Sequence, residues 1–254
     1  MPTWGTTATS DDNKPNWLTA EQLEQCYATS AGWVLKQPGG TEEILVAIGG
    51  LSTDLGSANI TSISFASLLQ STAAGTVTVY YDEKIEIQSG TPTLAITNST
   101  GADVTSSGVS LDAEGNGLVF AFTIAEGAVS GTPALTVPGT GYSNGATVAL
   151  TQGAGGTTSN GTGFTCTANI SGGVIQSITV TAVGTRYIPG ETIGLTDGAS
   201  GTDARITVGA VTGVASVADQ TLGGSADIED AATAVDADQA IGATVERTGT
   251  TFTF

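Results

Sequence analysis

Thr136-Val137-Pro138-Gly139-Thr140-Gly141-Tyr142-Ser143-Asn144-Gly145-Ala146-Thr147-Val148-Ala149-Leu150 returns, 45 residues on, as Thr181-Ala182-Val183-Gly184-Thr185-Arg186-Tyr187-Ile188-Pro189-Gly190-Glu191-Thr192-Ile193-Gly194-Leu195. Tyr142 and Tyr187, Gly145 and Gly190, and Leu150 and Leu195 all keep that offset. A glycine-rich connection follows each copy, residues 153–163 in the first and 198–203 in the second. Then comes an alternating run, residues 164–170 or 204–208. In the first copy Ser171-Gly172-Gly173 turns the chain into residues 174–180; in the second the pattern fades near Thr212-Gly213. Period-two alternation marks a half-buried strand, and glycine supplies the positive φ of tight turns. The stretch predicts a duplicated β-hairpin unit, and such duplication argues for a scaffold.

Upstream, Ser89-Gly90-Thr91-Pro92-Thr93-Leu94 returns as Ser130-Gly131-Thr132-Pro133-Ala134-Leu135. In both copies proline opens a short strand, where a missing N–H is tolerable. Residues 76–81, 84–88, 93–97 and 118–124 read as further strands, with a turn at Glu114-Gly115-Asn116-Gly117. Near the start, Thr19 with Gln22 forms a capping-box pattern, which predicts a helix over residues 20–28. Leu18 and Leu23 are placed for a hydrophobic staple. Gly32-Trp33-Val34-Leu35-Lys36 and residues 43–48 flank Gln37-Pro38-Gly39-Gly40 and predict a hairpin. Residues 59–69 read as a strand pair or a strand and loop. The acidic tail offers a short helix over residues 231–240, then strands at 244–247 and 251–254.

The fold class expected is mainly β. A small N-terminal α+β segment (1–72) leads into an Ig-like β-sandwich segment (73–135). Duplicated β-hairpin modules (136–215) and an acidic C-terminal segment (216–254) follow, the last ending in strands placed to complete the β-domain.

Composition narrows the function classes. The chain has no histidine, the usual group for proton transfer near neutrality. Serine and threonine are abundant but lack a base, and Lys14, Lys36 and Lys84 sit in no Ser-x-x-Lys setting. Asp82-Glu83 is a carboxylate pair, but adjacent strand residues face opposite ways, so a strand-end turn is the simpler reading. No enzyme and no cofactor is expected. A net charge of −18, from 24 acidic against six basic residues, repels nucleic acid and anionic membranes. Cys26 and Cys166 are 140 positions apart without a CxxC motif, and read as two free, buried thiols. The polar start is no signal peptide, and the longest apolar runs, residues 44–48 and 118–124, are too short to span a membrane. Synthesis in a cytoplasm follows as the expectation.

Four groups of residues stand out as candidate sites. Asp112, Glu114 and Asn116 place oxygens at alternate positions, as a calcium loop does, yet no bidentate Glu follows; a solvated turn competes, and no metal is assigned. The cluster at residues 227–238 is the second acidic candidate. Tyr142 and Tyr187 read as hairpin anchors rather than ligand-stacking rings. Trp4, Trp17 and Trp33 gather near the N-terminus, and tryptophan is enriched in fixed interfaces, so this end is expected to dock on a partner.

Residues 79–124, with Asp82-Glu83, SGTPTL and Gly115-Asn116-Gly117-Leu118-Val119-Phe120-Ala121-Phe122, resemble bacterial-type immunoglobulin-like repeats of large surface proteins. The TGY hairpin repeats look like those of tailed-phage virion proteins. Asp12-Asn13-Lys14-Pro15 before Trp17-Leu18, with Ala28-Thr29-Ser30-Ala31-Gly32-Trp33-Val34, is similar to virion structural proteins of marine cyanophage-type viruses. The resemblance implies a virion part without catalytic residues. Together with the missing catalytic groups, the duplicated β-modules and the N-terminal tryptophans, it leads to the expectation of a capsid decoration protein on the phage head, whose partners are the major capsid protein or other virion proteins, with a homo-oligomer left open. A tail, neck or fibre component acting as a host-surface or carbohydrate-binding adhesin is the alternative.

Overall fold

The computed structural model describes residues 14–37, 40–66, 74–158, 160–199, 201–243, 245–248 and 252–254. It is mainly β, with 54% of the described residues in strands against 4% in helices. The chain begins with α1 (Ala20–Glu24), β1 (Cys26–Thr29), β2 (Gly32–Lys36), β3 (Glu42–Ala47) and α2 (Leu51–Asp54). Next come β4 (Ile60–Phe65), β5 (Ala74–Tyr81), β6 (Ile85–Ser89), β7 (Ala95–Asn98), β8 (Val104–Thr105), β9 (Gly108–Leu111) and β10 (Gly117–Thr123). The repeat region holds β11 (Ala128–Ser130), β12 (Ala134–Val137), β13 (Gly145–Gly153), β14 (Thr162–Ser171), β15 (Val174–Thr185), β16 (Thr192–Thr196), β17 (Ala204–Thr207) and β18 (Ala210–Thr212). It closes with β19 (Val214–Ser216), β20 (Gln220–Thr221), β21 (Asp227–Asp230), β22 (Ala240–Ile241), β23 (Glu246–Thr248) and β24 (Phe252–Thr253).

The N-terminal helix is shorter than its pattern predicts. Its capping box forms: Gln22 N–H donates to Thr19 Oγ1 at 3.3 Å, and Thr19 N–H to Gln22 Oε1 at 3.0 Å. The helix then stops at Glu24, and Cys26-Tyr27-Ala28 form β1 instead, antiparallel to β2. Burial decides this: Cys26, Ala28, Trp33, Leu35 and Leu51 make a small core that a longer helix would leave open. The β2–β3 hairpin forms as expected, although Pro38 and Gly39 lie outside the described residues. Of the run at 59–69, β4 is a strand and residues 67–69 lie outside the described residues.

Two sheets share the largest core: β23-β4-β5-β10-β9 and β24-β19-β7-β8. Ile63, Val77, Val79, Leu118, Phe120 and Phe122 from the first meet Ile96 and Ala215 from the second and Leu94 just before β7, all at 2% exposure or less. The C-terminal segment enters this core with Leu222, Ile228 and Ile241. Pairing of β23 with β4 is parallel, so the tail closes the sandwich edge where the chain entered it. The helix expected over residues 231–240 does not form. Asp230 Oδ1 accepts the Ala232 and Thr233 N–H groups at 2.8 and 2.7 Å, which fixes a turn, and aspartate in such a role competes with helix.

The duplicated region forms one six-stranded antiparallel sheet of order β12-β17-β16-β13-β14-β15. The order is symmetric under exchange of the two copies. At its centre Thr151 of β13 pairs with Thr196 of β16, equivalent positions facing each other across a local two-fold axis. The outer strands are swapped: β12 of the first copy pairs with β17 of the second, and the end of β15 that opens the second copy, residues 182–185, pairs with β14 of the first, while residues 174–180 close the expected hairpin on β14 across Ser171-Gly172-Gly173. Even the irregularities match. The ladder skips Thr136 between Leu135 and Val137 on one side, and Thr181 between Val180 and Ala182 on the other.

The tyrosines lock this exchange. Tyr142, 3% exposed, donates from its hydroxyl to the Leu195 carbonyl at 2.6 Å, reaching from first copy to second. Tyr187, fully buried, donates to Gln152 Oε1 at 2.7 Å and accepts the Phe164 N–H at 3.2 Å, reaching from second copy to first. Each ring lies against a glycine of the other copy's connection, Tyr142 on Gly201 and Tyr187 on Gly161, where a Cβ would collide with the ring. The loop conformations repeat too. Gly141 has φ 79° and its counterpart Arg186 has φ 64°, a left-handed conformation that glycine takes freely and arginine does not.

Candidate functional site

The three tryptophans do not form one surface. Trp33 is fully buried in the N-terminal core, with the Lys14 ammonium 5.2 Å from its ring centroid, so it supports the unit from within rather than meeting a partner. Trp4 lies outside the described residues. Trp17 is 59% exposed. It lines a cleft of about 490 Å³ together with Leu45, Val46, Ala47 and Ile48 of β3 and the residue after it. Ile44, 53% exposed, continues the same strand. Strand β3 is an edge: it pairs with β2 on one side and has no partner among the described residues on the other. The unit is held against the sandwich by the Ala28 N–H donating to the Asp82 carbonyl at 2.7 Å and by an ion pair between Lys36 and Glu114.

Asp112, Glu114 and Asn116 each have a separate partner in or beside the turn. Asp112 Oδ1 accepts the Gly115 N–H at 2.7 Å and closes the turn. Burial raises its carboxyl above the usual range, opposed by the Gly115 and Gly117 N–H groups. Glu114 is taken by Lys36. Asn116, fully buried, donates to the Tyr81 carbonyl at 3.1 Å. The loop is a turn that also braces the N-terminal unit. In the second acidic cluster, carboxylate oxygens of Asp227, Glu229 and Asp236 lie within 4.8 Å of one another on the surface.

Asp82 and Glu83 stand at a strand end as their spacing predicts, but both are buried. Asp82 receives the Asn59 N–H at 2.7 Å and the Asn59 side-chain amide at 3.3 Å, which ties the start of β4 to the end of β5. Cys26 and Cys166 are free and buried. Burial pushes the thiol of each up to about 11, with Lys14 opposing slightly at Cys26. Such thiols are poor nucleophiles at neutral pH. Tyr142 and Tyr187 are internal anchors, unavailable for stacking on a sugar.

Sequence reasoning found Trp17 but passed over its neighbours. Residues 44–48 were read as a strand by length, and nothing in that pattern told which face lay open. No described helix is long and apolar enough to cross a membrane. Set against known protein families, curated proteins and solved structures, the chain matches none.

Proposed function

We propose that this protein is a non-enzymatic virion structural protein, a capsid decoration subunit that docks on the head of a tailed phage through its N-terminal unit. The observation that carries the reading is the apolar cleft of Trp17 and residues 45–48 on a strand edge with no partner among the described residues. On a chain of net charge −18 with only 12% charged residues, bare Trp and Ile side chains at one end mark a contact surface. Tryptophan in such a cleft is the residue type that dominates interface energetics. The interlocked repeat sheet and the sandwich then form the projecting body. The major capsid protein is the partner, meeting Trp17 with apolar side chains of its own.

The test is co-sedimentation of the purified protein with capsids lacking it, comparing wild type with Trp17→Ala and Ile44→Glu. Both side chains are exposed, so the variants keep the fold. A central anchor is worth about 2 kcal/mol or more, so capsid affinity falls by roughly thirtyfold. Undiminished binding by both variants refutes docking through this face.

A further inference from the structure

A second cleft, of about 340 Å³, lies between the N-terminal unit and the sandwich. It is lined by Ala28 and Thr29 of β1, Ser52 and Thr53 of α2, Glu83 and Lys84 between β5 and β6, and the turn that starts at Asp230. Two of these are buried carboxylates: Asp230 is fully buried and Glu83 is 1% exposed.

Asp230 is there because of the strand pattern. Burial alternates along β21, so Asp227 and Glu229 face outward while Ile228 and Asp230 face inward. An apolar residue would suit that inward position. Part of the carboxylate has a local task, since Oδ1 accepts from Ala232 N–H, Thr233 N–H and the Thr233 hydroxyl at 2.8, 2.7 and 3.0 Å. The other oxygen, Oδ2, is buried and has no hydrogen-bond donor among the described residues. A buried carboxylate oxygen without a hydrogen-bond donor is costly. The one basic side chain of the lining, Lys84, carries its ammonium 5.1 Å over the Tyr27 ring.

We infer that this cleft holds a hard divalent cation, calcium by its ligand chemistry. Asp230 Oδ2 supplies the buried anionic oxygen, and Glu83 adds the second carboxylate of the lining. The Ser52 and Thr53 hydroxyls, backbone carbonyls and water fill the remaining positions. Calcium takes six to eight oxygens in a flexible cage, whereas magnesium demands a strict octahedron; an irregular lining drawn from four separate segments favours calcium. The ion ties β1 and α2 to the turn after β21, and so fixes the orientation of the N-terminal unit on the sandwich. The site is distinct from the exposed Asp227, Glu229 and Asp236 cluster, two of whose members lie on the opposite face of the same strand.

The experiment is calorimetric titration of the full-length protein with CaCl2 after exhaustive chelation, alongside terbium luminescence excited through the aromatic residues. The expected result is one saturable site on the order of 10⁻⁴ M. Asp230→Asn, which keeps the Oδ1 bonds, weakens it by about tenfold or more by removing a charged ligand. Glu229→Gln leaves affinity within about twofold, because it faces away. Should Asp230→Asn fail to fold by circular dichroism, Glu83→Gln takes its place under the same tenfold criterion. Absence of saturable binding up to roughly 10 mM calcium, above the weakest protein sites, overturns the inference. So does binding that Glu229→Gln abolishes and Asp230→Asn spares.

Discussion

At the residue scale the fold turns on two tyrosines and the two glycines beneath them. Gly161 and Gly201 stand where a methyl group would enter the rings of Tyr187 and Tyr142. Gly161→Ala and Gly201→Ala each destabilise by about 1–3 kcal/mol, the usual range for overpacking. Tyr142→Phe and Tyr187→Phe remove a hydrogen bond yet keep the ring. Losing the hydroxyl leaves the buried Leu195 carbonyl or Phe164 N–H short of a partner, at a cost of about 1–2 kcal/mol. Urea unfolding checks all four, and Gly→Ala variants as stable as wild type contradict the interlock. The buried thiols add a pH dependence. Burial raises Cys26 and Cys166 from 9.0 to about 11, and raises Tyr27 and Tyr81 further. The folded state therefore holds protons that the unfolded chain releases. Stability from the thiols is complete below pH 9 and is lost as pH rises from 9 to 11. Urea midpoints of a Cys26→Ala/Cys166→Ala variant fall less steeply across that window than those of wild type; identical slopes contradict thiol burial as a cause.

At the scale of elements, the repeat was legible because its turns, its tyrosines and its period-two strands recur in register. The hairpin across Ser171-Gly172-Gly173 was legible too and forms between β14 and β15, but the pairing between the copies was not. Local pattern predicts hairpins within each copy, whereas β12 and the end of β15 from residue 182 pair with strands of the other copy. Nothing in an alternating Thr-Val run encodes a partner; the exchange follows from where Tyr142 and Tyr187 find their acceptors. The same limit explains the two helix errors. Residues 25–28 have helical neighbours and a correct cap, but the core around Trp33 and Leu51 needs them as a strand. Residues 231–240 have moderate helix formers, but Asp230 spends its side chain on the turn instead. Because the copies share one sheet, Leu150→Ala and Leu195→Ala are equivalent lesions. Each costs about 2–5 kcal/mol, as for a buried leucine. Each also shifts the same cooperative transition rather than a separate one for each copy. Two resolved transitions of the repeat region by hydrogen exchange contradict a single interlocked unit.

At the scale of the whole molecule, the acidic charge and the proposed docking face make opposite demands. Crowded copies at −18 repel one another, but at about 0.15 M salt the Debye length is roughly 8 Å and only close neighbours feel it. The cleft of Trp17 and residues 45–48 is apolar. Occupancy on the particle therefore holds or rises with ionic strength, as sedimentation in graded NaCl reads out. If about 1 M NaCl, where the Debye length is roughly 3 Å, strips the protein off, the dock is electrostatic and the apolar reading fails. Absence of histidine and the lopsided charge were legible from composition alone. The buried carboxylates of the N-terminal junction were not, because Asp82, Glu83 and Asp230 look like ordinary turn residues until the sandwich closes over them. The most direct test of the docking account is a cryo-electron micrograph reconstruction of the parent particle at subunit resolution. It predicts this chain on the outer face of the head, with the β3 edge and Trp17 against the major capsid protein and the repeat sheet projecting outward. Density for the chain at the tail tip, or on the head with the Trp17 face turned to solvent, contradicts it.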